Sequence, residues 1–270
     1  MRIFAIKNEE DNKTLAYLLY YEKEKSFYIE LPEDADPWET PLILSSFAKK
    51  NITTINSYWS RMWVQQRIVP SDRQNLGQVL KENNLVEYDE FELLMLSNGR
   101  CAQDDLYLDE MMEGDIPEEI LKRFEKKVED IVPLQNYTLL VFFRDGVIKK
   151  CNIKEFFEKN RALETFLSVN KDMFKYVHVQ PGGYGIRWEE NMNISDGELY
   201  DSGVQVPLSL ADFREFVVHR VINAAEAAEI LDCSRQNIRD LIKRNKLHPI
   251  KSSDKNTLFL KSEVMKRNWQ

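Results

Sequence analysis

An α+β, multidomain chain is the fold class that three observations predict. Strand-like runs rich in Tyr, Phe, Ile and Leu open the sequence and give way to helical periodicity. An Asp-Gly turn lies between two apolar runs near the middle, and a basic pair of capped helical runs lies near the end. The 270 residues fit two or three domains. Three are expected: a mixed αβ domain over 1–130, a small αβ domain over 132–203 and a small, mainly helical module over 208–270.

The N-terminal region begins with strands at Arg2–Ile6, Leu15–Tyr21 and Phe27–Leu31, the last two joined by the charged turn Glu22-Lys23-Glu24-Lys25. Pro32 and Pro37 close this run. Helices are expected at Trp38–Lys49, at Ser57–Ile68, from an N-cap at Ser71 to Lys81, and at Glu90–Leu96. Asp104–Asp115 reads as acidic and irregular, with a linker near 104–130. Pro117-Glu118-Glu119 then opens another helix, with carboxylates where the helix dipole favours them. Within Tyr58–Arg67, aromatic and arginine residues interleave as in a base-stacking surface. Trp59, Met62, Trp63 and Gln66 share one helical face, however, so core packing is the expectation.

The middle domain starts near Val132. Tyr137–Phe143 and Val147–Ile153 form a hairpin about Arg144-Asp145-Gly146. Helical residues from Lys154 to Phe166 follow, then Asp172-Met173-Phe174 and a second hairpin, Tyr176–Val179 with Ile186-Arg187-Trp188. Its turn, Pro181–Gly185, lacks the Lys-Ser/Thr and the helix that a phosphate loop needs, so a hairpin turn is expected. The hairpin, the short helices, Trp188, and Ser195-Asp196 leading to Leu199-Tyr200 resemble, in this order, the bacterial DUF2442 family over 132–203. That resemblance implies a short αβ domain, found beside small toxin-like proteins or fused to helix-turn-helix modules, with no enzymatic activity attached.

The C-terminal module is the most informative part. Asn223 caps a helix that begins at Ala224, with Glu226 placed to return the capping bond. Ala227 and Ala228 allow a close crossing, Asp232-Cys233 turns the chain, and Ser234 caps a second helix over Arg235–Arg244. Ile238, Leu241 and Ile242 form its inner face. Asn245 suits a left-handed helix end. His248–Lys251 and Thr257–Leu260 read as a β-wing, and Lys261–Trp269 as a last helix with Val264 and Trp269 facing in. This is winged helix-turn-helix organisation. Ala224–Lys251 resembles the excisionase and MerR-like helix-turn-helix families, with Asn245 where those families usually carry glycine.

Charge and chemistry converge on double-stranded DNA as the partner. Residues 219–270 hold 11 Lys/Arg against 6 Asp/Glu, whereas residues 1–218 hold 26 against 39, within a total of −8. Arg235, Gln236, Asn237 and Arg239 are the expected readers of base edges: arginine suits guanine, and the amides suit adenine. Ser234, Lys243, Arg244, Lys251 and Lys255 are expected on phosphates. A sequence-specific bacterial transcriptional regulator is the first expectation, with a homodimer on paired half-sites. The alternative is an antitoxin-like protein whose acidic body, Asp104–Asp130 in particular, meets a basic protein partner.

Other classes lack their motifs. No Ser/His/Asp order, HExxH, P-loop or dinucleotide fingerprint is present, so no enzyme is expected. The carboxylates at Asp104-Asp105 and Asp109-Glu110 read as a solvated loop. Cys101, Cys151 and Cys233 form no CxxC pair, and the three histidines lack ligand spacing. Neither disulfide, metal nor cofactor is therefore expected. The apolar run Leu139–Phe143 is far shorter than the roughly 20 residues of a membrane span. With no signal-peptide core at the start, a cytoplasmic location follows as an expectation.

Overall fold

Near-continuous runs of Ile, Leu, Phe, Tyr and Ala, buried along most of their length, form strands β1 (Arg2–Asn8), β2 (Thr14–Tyr21) and β3 (Ser26–Glu30). The computed structural model describes every residue except 190, 191, 206, 209, 254, 255 and 270, with only the backbone of Glu113, Lys171 and Leu210. It divides into two units, Met1–Leu121 and Lys122–Gln270.

In the first unit, α1 (Leu42–Ala48), β4 (Thr54–Ile55), α2 (Ser57–Gln65), α3 (Leu76–Glu82), α4 (Glu90–Leu96) and β5 (Leu106–Met111) follow the three strands. The sheet is antiparallel in the order β4-β3-β2-β1-β5. Phe4, Leu18, Ile29, Trp63 and Leu94 share its core, and Tyr20 stacks on Phe91 with centroids 4.0 Å apart. Asn56 and Asp89 cap α2 and α4 through their side-chain oxygens.

Several expectations change here. The first helix starts at Leu42, not Trp38, because Thr40 precedes Pro41 and a residue before proline is driven out of the α region. The third starts at Leu76 after Asn75. Ser71 instead sits in a turn closed by the Arg73 N–H donating to the Pro70 carbonyl at 3.2 Å. The acidic segment Asp104–Asp115, expected to be irregular, holds strand β5 at its centre, with Leu106 and Leu108 turned into the core. Its carboxylates point outward onto β1: Asp109 pairs with Lys7 at 2.5 Å and Glu110 with Arg2 at 2.8 Å. The aromatic stripe is only half core. Trp63 is buried, whereas Trp59 is 39% exposed and Gln66 is exposed, because the inward face runs through Ser60, Trp63, Val64 and Arg67.

Helix α5 (Glu118–Glu125) follows Pro117, as expected, and carries the chain across the division between the units. The expected linker is thus occupied by β5, α5 and β6 (Val128–Pro133).

The second unit continues with β7 (Thr138–Phe143), β8 (Ile148–Asn152), α6 (Arg161–Val169), β9 (His178–Val179), β10 (Gly185–Glu189), β11 (Met192–Ser195), α7 (Asp196–Ser202) and β12 (Val204–Gln205). Two antiparallel sheets result, in the orders β12-β8-β7-β6 and β11-β10-β9. Leu139, Val141, Ile153, Leu163, Ile186, Trp188 and Leu199 pack between these sheets and their helices. The Pro181–Gly185 segment is a hairpin turn, closed by Gln180 N–H to the Gly185 carbonyl at 2.9 Å. Gly183 has φ +81°, and a Cβ there would lie 2.3 Å from the Val128 carbonyl oxygen, so only glycine fits. Ser195 caps α7, and Glu198 returns the bond.

The chain ends with α8 (Leu210–Arg220), β13 (Val221–Asn223), α9 (Ala224–Ile230), α10 (Arg235–Lys243), β14 (Lys251–Ser252), β15 (Thr257–Leu260) and α11 (Lys261–Lys266). Their small sheet has the order β13-β15-β14, so β13 completes a wing expected to have two strands. β14 begins at Lys251 instead of His248, since Pro249 has no N–H to donate and His248 turns toward Glu263. α11 stops at Lys266, where the Arg267 guanidinium reaches back to the Lys246 carbonyl at 2.6 Å. Val264 and Trp269 face inward as expected.

Candidate nucleic-acid interface

The interface rests on two short helices held by their caps. Asn223 Oδ1 accepts from the N–H groups of Ala225 and Glu226 at 2.8 and 3.1 Å, and Glu226 accepts from the Asn223 N–H at 2.8 Å. Both donors at the start of α9 are satisfied, which fixes where the helix begins. Ala227 and Ala228 are buried against α10, their small side chains permitting close approach. Asp232, at φ +47°, turns the chain, and the Ser234 hydroxyl then accepts from the Asn237 N–H at 3.2 Å. Ile238, Leu247, Phe259 and Val264 form the core beneath. Asn245 adopts φ +55°, its Oδ1 lying 3.1 Å from His248 Nε2 while His248 Nδ1 lies 3.1 Å from Glu263. This is a helix-turn-helix domain.

Residues 221–267 match the family described as a helix-turn-helix domain, and residues 128–205 match the protein of unknown function family DUF2442. Both resemblances drawn from the sequence therefore hold, over nearly the expected spans. No curated protein and no solved structure matches the chain. A helix-turn-helix domain suggests DNA as partner.

The outer face of α10 is polar and exposed. Ser234, Arg235, Gln236, Asn237, Arg239, Lys243 and Arg244 are exposed along α10 and its ends, and Lys251 is exposed at the wing. Among the described residues, the side chains of Arg235, Gln236, Asn237, Arg239, Lys243, Arg244 and Lys251 form no hydrogen bond or ion pair within the chain. Lys255, the remaining phosphate candidate, lies outside the described residues. Lys246 was not singled out from the sequence. It is exposed just past α10, and its place in the basic run 243–246 was the available signal.

Other cations of the domain are committed to structure. Arg220, at the end of α8, pairs with Asp130 of β6 at 2.7 Å and donates to the Ile131 carbonyl at 2.6 Å. Lys266 pairs with Glu129 at 2.6 Å, and Phe216 packs on Phe142 with centroids 5.1 Å apart. The Lys266 pair seats the helix-turn-helix domain on the DUF2442 segment, and the Arg220 and Phe216 contacts seat α8 just before it. Burial pushes the Asp130 carboxyl up to about 6 despite Arg220, and burial also lowers Arg220. No sequence signal marked this pair, because its partners stand 90 positions apart in the chain.

The acidic body shows a different pattern. Asp104 forms a two-point pair with Arg67, and Asp109 and Glu110 pair with Lys7 and Arg2. Among the described residues, no three His, Cys, Asp or Glu side chains gather to hold a metal ion, and no helix is long and apolar enough to cross a membrane. Cys151 is buried, its thiol pushed up to about 12 by burial.

Proposed function

We propose that the chain is a sequence-specific DNA-binding protein, a bacterial transcriptional regulator acting in the cytoplasm. Helix α10 enters the major groove N-terminus first. Arg235 and Arg239 read guanine, and Gln236 and Asn237 read adenine. Ser234, Lys243, Arg244, Lys251 and Lys255 hold phosphates and set the register. A homodimer on paired half-sites belongs to the same reading, and the protein carries out no reaction of its own. The observation that carries it is the free outer face of α10: arginine, lysine and amide groups that the fold leaves without partners among the described residues. Unpaired cations gathered on one face suit a polyanion.

An antitoxin-like role through the acidic body is less favoured, because the carboxylates of β5 and Asp104 are engaged by Arg2, Lys7 and Arg67. The test is selection of a random duplex library on the full chain, followed by anisotropy titration of the enriched duplex and a scrambled one over a salt series. Enrichment of one motif, with affinity falling steeply with salt, is expected. Equal affinity for both duplexes overturns the reading of sequence.

A further inference from the structure

Where the helix-turn-helix domain sits on the DUF2442 segment, a cleft of about 180 Å³ lies between them. Its polar lining includes Asp130, Arg220 and Lys261, and His178 comes from the edge strand β9. Met265 and Trp269 supply an apolar wall. The two modules contribute together: Asp130 and His178 from one, Lys261 and Met265 from the other, with Trp269 just after it.

Among the described residues, one cation in this cleft has no ion-pair partner. Asp130 is committed to Arg220, and Glu129 to Lys266. Lys261 is half-buried, yet among the described residues it forms no ion pair or hydrogen bond. This leaves a partly desolvated ammonium beside a guanidinium, with Asp130 and Glu226 nearby but neither within ion-pair distance of it. Lys261 is lowered by burial and then by Arg220, against Asp130 and Glu226, which raise it; His178 is lowered by burial and then by Arg187, Lys261 and Arg220. A cleft that is polar at its base, apolar on one wall and holds a half-buried ammonium without an ion-pair partner suits a small anion with an apolar part.

We propose that this cleft is an effector site for a small organic molecule carrying a carboxylate or phosphate group. The anionic oxygens sit at Lys261 beside Arg220, and the apolar part lies against Met265 and Trp269. Because the lining comes from both modules, occupancy strengthens their seating and so alters how α10 is presented. That second half rests on the DNA-binding reading; the binding of the anion does not.

The test uses the full chain, without DNA at first. Benzoate and phenyl phosphate distinguish the two anion chemistries, and inorganic phosphate and cyclohexanol separate the anionic from the apolar contribution. Amide chemical shifts are followed up to about 10 mM probe, a range that captures millimolar affinities. Benzoate or phenyl phosphate is expected to move signals of residues 176–179, 220 and 261–269. Lys261→Gln is expected to weaken binding at least about tenfold. Lys261→Arg retains it, and Lys159→Gln, on an exposed site elsewhere, leaves it unchanged. Lack of binding by both aromatic anions overturns the site, as does equal affinity in Lys261→Gln. The selected duplex is then titrated with and without the better probe. A change in DNA affinity that Lys261→Gln abolishes supports the effector role. Intact probe binding with unchanged DNA affinity overturns that role alone.

Discussion

Arg220 Nε stands 2.7 Å from Asp130 Oδ1, and this contact ties the end of α8 to strand β6. Both side chains are nearly buried, 11% and 7% exposed, so the pair sits where each charge depends on the other. Arg220→Met alone strands a buried carboxylate and is expected to destabilise the second unit by about 3–5 kcal/mol. The double substitution Arg220→Met with Asp130→Leu is expected to recover most of that loss. Urea unfolding of both variants checks this, and a double variant as weak as the single one would show that the pair is not the cause.

The same carboxyl makes stability depend on pH. Its folded value of about 6 lies above the ordinary 3.8, so the folded state binds the extra proton between those values. The cost of keeping Asp130 charged is fully present above pH 6 and disappears as pH falls below 3.8. The stability of the wild type relative to Asp130→Asn is therefore expected to improve as pH drops from about 7 to 4. Unfolding curves at several pH values measure it. A relative loss toward acid would mean that Arg220 outweighs burial.

At the interface, reading and positioning separate experimentally. Arg235→Ala and Asn237→Ala are each expected to cost about 1–3 kcal/mol on the selected duplex and to flatten selectivity. Lys243→Ala is expected to weaken selected and scrambled duplexes alike and to lower the salt slope by about 1. Anisotropy reads both effects, with circular dichroism confirming that the fold persists. Uniform losses in all three variants would remove the assignment of base contacts.

Asn245 ends α10 at φ +55°, where a β-branched residue is strained. Asn245→Val is expected to cost about 1–2 kcal/mol, whereas Asn245→Gly folds normally. The thermal midpoint of the helix-turn-helix domain within the full chain, followed by hydrogen exchange of Ile238 and Leu241, distinguishes them.

Gly183 and Gly146 make an internal comparison. Both have positive φ, +81° and +83°, but a Cβ at Gly183 meets the Val128 carbonyl at 2.3 Å while Gly146 faces open space. Gly183→Ala is expected to destabilise the DUF2442 segment well beyond the roughly 1–2 kcal/mol of conformational cost expected for Gly146→Ala. Similar midpoints for the two variants would place the strain in φ alone.

What could be read in the chain was local. Asn223 with Glu226, and Ser234 with Asn237, lie within one helical turn of each other, so their capping follows from spacing. The outer residues of α10 follow from the periodicity of Ile238, Leu241 and Ile242, and the structure leaves them exposed. The Asp145-Gly146 hairpin and the start of α5 after Pro117 are short-range as well. What escaped was decided by partners far away. Strand β5 is acidic along its outer face, and only pairing with β1, through Lys7 and Arg2, makes it a strand and not a loop. The third strand of the wing forms because Val221–Asn223 meets Leu258–Leu260. Arg220 and Asp130, and the unpaired Lys261 beside them, gain their meaning from the seating of one module on the other. Capping and amphipathic periodicity are set within a turn or two of backbone. Charge pairing, burial and clefts are set by which segments the tertiary fold brings together, and no local pattern encodes that.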